Sequence, residues 1–226
     1  MIIKAKNYYQ RFGVVLGNPF FPIYLRWAYN QGIKDVESLG KRVNFEKQDF
    51  SCLLSGCGNE QTADTFIQFV IKRNKNAKIY IIDLGKEQVK AIKKLVISKY
   101  KNFDVVVQQI NALDLKKIIS PKSLDWIETD GVMEFFDHKS LEKLLQVWHN
   151  LLKKDGFITT RDCVTEGKLT PMADFLRINI AYKWLGVKLY AHTKKDYIYF
   201  FRKIGFRYFI GDTLLYTYRR FALVSS

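Results

Sequence analysis

Gly56, Cys57 and Gly58, in the stretch "LLSGCGNEQTA" (53–63), are the residues from which the chemistry of this chain has to be read. Two glycines straight after an apolar run and straight before a helix-like stretch describe a strand turning tightly into a helix, where backbone N–H groups face a ligand. A dinucleotide turn would read G-x-G-x-x-G, its third glycine letting the helix approach the sheet. Here that position is Gln61, and Glu60 stands in the first helical turn. A carboxylate there suits the helix dipole but repels a pyrophosphate, so the turn favours a nucleoside ligand without phosphates over NAD. Asp83, closing the apolar run "IYIID", is placed to meet the same ligand or to cap the next helix. Asp130, Glu134 and His138, in "ETDGVMEFFDH" (128–138), are the candidates for moving a proton. His149 lies in an amphipathic stretch and reads as structural, and no cysteine spacing matches a metal site.

The elements that must position these residues alternate. Strands are expected at 50–54, 77–83, 103–110, 124–130 and 156–164. Helices are expected at 59–74, 86–100 and 138–154, the last stopping at Asp155-Gly156, and again at 193–204. Such alternation predicts an α/β fold: a mostly parallel sheet with helices on both faces and the ligand at the carboxyl ends of the first strands. "GFRYFIGDTLLYTYRRFALV" closes the chain as two extended runs, an antiparallel hairpin on the sheet edge. Residues 1–48 and 165–192 stand outside the pattern and are both rich in aromatics.

Taken in order, these motifs resemble those of the class I, Rossmann-like, S-adenosylmethionine (SAM)-dependent methyltransferases of small-molecule type. The resemblance covers most of residues 50–224 and implies a seven-stranded sheet, a methyl-transfer activity and SAM as cofactor. "LLSGCGNE" is similar to the family's glycine turn: Gly56, Cys57 and Gly58 match, Leu54 replaces the usual acid and Glu60 a usual glycine, and the resemblance counts Ser55 among the cofactor-binding residues. Glu60 then either supplies the carboxylate for the SAM amine or is an exposed first-turn glutamate. Asp83, with Leu84 beside it, takes the place of the acid that accepts the ribose hydroxyls. Asn111 and Ala112, in "INALDL", take the places of the adenine-contacting pair. Glu128 and Thr129 end the fourth strand, beside the methyl donor, where Glu134 and Asp130 are favoured over His138 as a base.

Substrate choice in this family resides in added segments. Residues 1–48 are expected to form a helical lid, and 165–192 a substrate cap inserted in a SAM-binding domain spanning 49–226. Tyr9, Phe12, Tyr24, Trp27 and Tyr182, with Phe175, Trp184 and Tyr190, offer an apolar roof, although at least half of the aromatic residues must be ordinary core. Arg161, with Arg11, Arg26 and Arg177, offers a clamp for a carboxylate. The expected acceptor is therefore a small, partly apolar or carboxylate-bearing molecule, methylated on oxygen or nitrogen.

Composition sets the rivals. The chain of 226 residues carries a formal net charge of +15 and 15% aromatics, which would also suit a nucleic-acid methyltransferase. The lysines are spread along the chain, however, and "ETDGV" replaces the N-P-P-Y-like tetrapeptide of base-amine methylating enzymes; "NPFF" (18–21) lies ahead of the glycine turn. A non-catalytic partner subunit of the same fold is the third reading, resting on the departures at Leu54, Glu60 and Asn111. Cys52, Cys57 and Cys163 read as free thiols of a reducing, cytoplasmic setting. The N-terminus lacks signal-peptide features, and no apolar run approaches the length of a membrane span. A homodimer is left open.

Overall fold

The computed structural model describes residues 9–11, 13, 17–166, 170–215 and 217–225. Seven strands form one sheet: β1 (Ser51–Ser55), β2 (Lys78–Asp83), β3 (Val105–Gln109), β4 (Leu124–Asp130), β5 (Leu152–Cys163), β6 (Phe206–Asp212) and β7 (Tyr218–Ser225). Their order is β3-β2-β1-β4-β5-β7-β6. The first five pair in parallel, and β7 runs antiparallel between β5 and β6. Strand order reverses between β1 and β4, which opens a crevice at their carboxyl ends. The antiparallel direction of β7 brings its first residue, Tyr218, to that same edge, opposite Cys163.

Helices α1 (Phe21–Ser38), α2 (Glu60–Ile71) and α3 (Lys86–Lys99) cover one face. Helices α4 (His138–Leu151) and α6 (Lys194–Ile204) cover the other, with a 3₁₀ turn at Ala112–Lys117. The pleat sorts the strand residues accordingly: Cys52 and Leu54 join the first core and Leu53 the second, as Ala222 and Val224 do against Phe221 and Leu223. Helix α5 (Thr170–Ile180) and the π turn Ala181–Leu185 lie apart, on a small cluster of Ala181, Leu185, Val187 and Leu189.

Helix α1 buries Leu25, Ala28, Tyr29, Gly32 and Val36, a helical stripe. Gly32 lets it lie flat on β5, since a Cβ there would come 2.8 Å from Thr159 Cγ2. Asp35 at its far end accepts from Arg220 Nε of β7 at 2.8 Å.

The helix before β5 ends at Leu151 rather than at 154, and the strand starts at Leu152. Asp155-Gly156 is not the helix stop. Residues 153–156 instead bulge out of the ladder, which passes from Leu124↔Leu152 to Trp126↔Phe157. Gly156 is needed for close approach, because a Cβ would meet the Leu124 carbonyl oxygen at 2.7 Å. The bulge also delivers Lys153 Nζ to Asp125 Oδ2, at 2.8 Å. Cys52, Cys57 and Cys163 are buried and free. Among the described residues no helix is long and apolar enough to cross a membrane.

Candidate active site

The ends of β1, β2 and β4 meet at the glycine turn. Gly56 has φ +80°, and a Cβ on it would lie 2.4 Å from Val132 Cγ2, so both conformation and space require glycine. Its N–H donates to the Ile82 carbonyl at 3.0 Å. Asp83 ties the turn to β2: Oδ2 accepts from Cys57 N at 2.8 Å and Oδ1 from Gly85 N at 2.6 Å. The N-cap of α3 is Gly85, so Asp83 is not the cap of that helix. Burial pushes the Asp83 carboxyl up to about 6, against the pull of those backbone donors. Thr129 Oγ1 donates to the Ser55 carbonyl at 2.7 Å, and Ser55 Oγ is buried without a hydrogen-bond partner.

Asn59 caps α2, its side chain accepting from Thr62 N at 2.9 Å, and the Cys57 thiol donates to the Asn59 carbonyl at 3.1 Å. Gly58 lies half-buried between them. Glu60 is exposed and accepts from the Tyr9 hydroxyl at 2.7 Å, so the N-terminal segment reaches the glycine turn. A cleft of about 350 Å³ lies there, lined by Tyr9, Gln10, Gly17, Asn59, Glu60 and Gln61. Leu84 is exposed just beyond Asp83. Asn111 caps the 3₁₀ turn, its oxygen accepting from Leu113 N at 3.0 Å, and Ala112 is buried behind it.

This ensemble fits the nucleoside and amino-acid parts of SAM. Each Asp83 oxygen keeps a lone pair beyond its backbone donor. Ser55 Oγ is an orphaned polar atom at the same edge, and α2 presents its N-terminus.

A second cluster stands at the ends of β4 and β5. Arg161 is fully buried and holds Glu128 Oε1 at 2.6 Å and Asp130 Oδ1 at 3.2 Å. The Thr159 hydroxyl donates to the other Glu128 oxygen and accepts from Trp126 Nε1 at 2.7 Å. Burial pushes Glu128 up to about 7 despite Arg161, whose own charge is held firmly by the two acids. Tyr29 lies under the guanidinium, with the arginine carbon 5.5 Å from the ring centre. Tyr24 is half-buried beside the cluster; its phenol is pushed up to about 12 by burial and then by Asp130.

Farther round the edge, Glu134 is buried and paired with Arg177 of α5, which also holds Asp174 Oδ1 at 3.1 Å. Asp162 lies beside it, accepting from Met133 N at 2.7 Å and Glu134 N at 3.2 Å. Burial raises the pKa of both carboxyls; the Glu134 charge raises Asp162 further, and Asp174 raises Glu134 against the pull of Arg177. Tyr218 completes the group: its hydroxyl would be 3.5 Å from a Cβ on Gly131, and burial with the Glu134 charge raises its pKa.

The structure thus brings Asp130, Glu134, Glu128, Thr129, Arg161 and Tyr24 to one edge. It places His138 elsewhere, exposed at the start of α4, 3.5 Å from Asp196 and ring to ring with His192. Trp27 packs half-buried with Arg220 over its ring. Tyr182 is exposed on the outside of the cap, as are Phe175 and Trp184, whereas the Tyr190 N–H donates to the Glu134 carbonyl at 2.7 Å. Phe12 lies outside the described residues. Sequence reasoning passed over Val132, Asp162 and Tyr218. Asp162 carried a signal, a charged residue beside Arg161 in the otherwise uncharged stretch 156–164; Tyr218 carried none without the pairing of β7.

A family model described as a methyltransferase domain matches residues 41–202. No curated protein matches the sequence. Among solved structures, the chain is similar to the magnesium protoporphyrin IX methyltransferase of Synechocystis with bound S-adenosylhomocysteine (SAH): 14% identity, TM-score 0.60, covering 90% of this chain and 84% of that one. Geranyl diphosphate C-methyltransferase of Streptomyces coelicolor gives 12% identity and a TM-score of 0.62, covering 86% of this chain and 77% of that one. YcgJ of Bacillus subtilis gives 16% identity and a TM-score of 0.60, covering 80% and 70%. The glycine turn tied to Asp83, the sheet order and the matched domain have one meaning: this chain belongs to the class I SAM-dependent methyltransferases, with SAM as its methyl donor.

Proposed function

We propose that the protein methylates a hydroxyl or amine of a small, partly apolar molecule, with the acceptor entering between α1, the 3₁₀ turn Met133–Phe135 and the cap. The observation that carries this reading is the buried acid pair Glu134 and Asp162, roofed by Arg177, on the same sheet edge as the glycine turn. Bound SAM would supply a methyl group on a cationic sulfonium. The protein's own part is to hold Asp83, Ser55 and the turn against the donor, to orient the acceptor, and to take up its proton. Glu134 is the proton acceptor in this reading; burial raises its pKa above the ordinary carboxylate value, which strengthens it as a base. Arg161 and Arg177 are both spent on internal acids, which argues for an uncharged acceptor over a carboxylate. The segment 1–48 acts as a lid, supported by the contacts of Tyr9 with Glu60 and of Arg11 with the Trp184 carbonyl. A cytoplasmic setting is supported by the three free thiols.

The test is transfer from methyl-labelled SAM to a panel of small alcohols, phenols and amines, with total RNA as the competing acceptor. Label is expected in the small-molecule fraction, reduced roughly a hundredfold or more by Glu134→Gln. Label appearing only in acid-precipitable RNA would replace this reading with the nucleic-acid one.

A further inference from the structure

Helix α5 wears its polarity inside out. Its inner side carries Asp174, Arg177, Ile178 and, in the following turn, Ala181 and Leu185, all buried or half-buried against the body. Asp174 bonds the Thr165 hydroxyl and Arg177, and Arg177 reaches Glu134. The outer side is Met172, Phe175, Leu176, Ile180 and Trp184, a stripe at helical spacing whose members are 48–67% exposed. Of the thirteen large apolar side chains exposed among the described residues, six fall between 172 and 184, Tyr182 being the sixth. Such clustering is not the scattered exposure normal for a soluble surface.

Charge decides what covers the stripe. Residues 170–191 contain four charged side chains, Asp174, Arg177, Lys183 and Lys188. The first two are paired with each other, whereas Lys183 and Lys188 are exposed. Arg11 adds a third cation, its guanidinium carbon 5.9 Å from the Trp184 ring centre. The segment therefore shows solvent an apolar stripe edged by positive charge, on a chain of net charge +15. A second copy would bring like charge to such a face, while an anionic lipid surface attracts it. Apolar stripes with aromatic residues and flanking lysines lie in bilayer interfaces, buried to roughly 5–10 Å.

We propose that the outer face of α5 and its π turn docks onto anionic lipid bilayers, holding the cap against the membrane surface. The docking face is independent of the acceptor's identity. Flotation with vesicles of phosphatidylcholine containing 30 mol% phosphatidylglycerol, against phosphatidylcholine alone, tests it. Binding is expected to the anionic vesicles, to weaken in high salt, to fall by roughly fivefold for each of Lys183→Ala and Lys188→Ala, and to be lost in Phe175→Glu/Ile180→Glu. Titration with SAM verifies that the double variant remains folded. A readout that needs no apolar substitution is quenching by brominated lipid: Trp184 fluorescence is expected to be quenched, with the quenched part missing in Trp184→Phe. Failure to float, flotation unchanged in a folded double variant, or an unquenched Trp184 would each overturn the proposal. So would a homodimer in sedimentation that the double variant dissolves while vesicle binding stays the same.

Discussion

The donor turn and the acid–arginine cluster share one edge of the sheet but are built from different materials. At the turn, the structure uses backbone: a glycine at φ +80°, two N–H groups on Asp83, and a helix N-terminus. At the cluster it uses long side chains that neutralise one another out of water, Arg161 with Glu128 and Asp130, and Arg177 with Glu134 and Asp174. A ligand that is the same in every turnover can be met by fixed backbone, whose geometry costs no reorganisation. In the proposed function the acceptor is met by side chains, which substitution can change without disturbing the sheet. The two regions should therefore fail differently: loss of Asp83 from the turn shows in SAM affinity, and loss of Arg161 from the cluster in stability.

The largest effect is expected at the cluster. Arg161→Met would leave Glu128 buried and unpaired, and denaturant melts should record a loss of about 3–5 kcal/mol. If the variant melts like the wild type, the cluster is not the buried ionic unit described. Next comes Asp83→Ala, which removes two charge-assisted hydrogen bonds inside the turn along with the carboxylate expected to receive the ribose. SAM affinity measured by calorimetry should fall by at least about a hundredfold. Gly56→Ala forces a left-handed alanine and a clash with Val132, a cost of about 2 kcal/mol. Adding Val132→Ala should relieve the clash and restore part of the stability, leaving the backbone strain. A suppressor with no effect would show that Val132 does not press on the turn.

The smallest effect is a pH dependence. Asp83 accepts hydroxyl hydrogen bonds best when ionised, and its carboxyl is pushed up to about 6 by burial. A proton therefore competes with SAM as pH falls through that value. The dissociation constant should be flat above pH 7 and rise about tenfold by pH 5. A flat profile down to pH 5 would mean that Asp83 does not receive the ribose.

What the sequence disclosed divides along the same line. Gly56, Gly58 and Asp83 were legible as parts of one turn because a tight strand-to-helix turn restricts residue type at fixed spacing. The alternation of strands and helices was legible for the same local reason. The bulge at 153–156 was not, because Asp155-Gly156 mimics a helix stop, and only the approach to the Leu124 carbonyl shows what Gly156 is for. The partnership of Glu134 with Arg177 spans 43 positions, and that of Arg161 with Glu128 spans 33. Nothing local in either segment records such a pair. Arg161 and Arg177 could be read as clamps for a substrate only while the acids that occupy them were out of sight. The outward stripe of α5 was in plain view as aromatic residues, but periodicity does not say which side of a helix faces the body.

The central claim is that the glycine turn and Asp83 form a working SAM site, and calorimetric titration of the wild-type protein with SAM and with SAH at neutral pH tests it most directly. Binding of both at one site, with dissociation constants on the order of micromolar, is the predicted result. A folded protein that releases or absorbs no heat with either ligand, and gains no thermal stability from them, would contradict it.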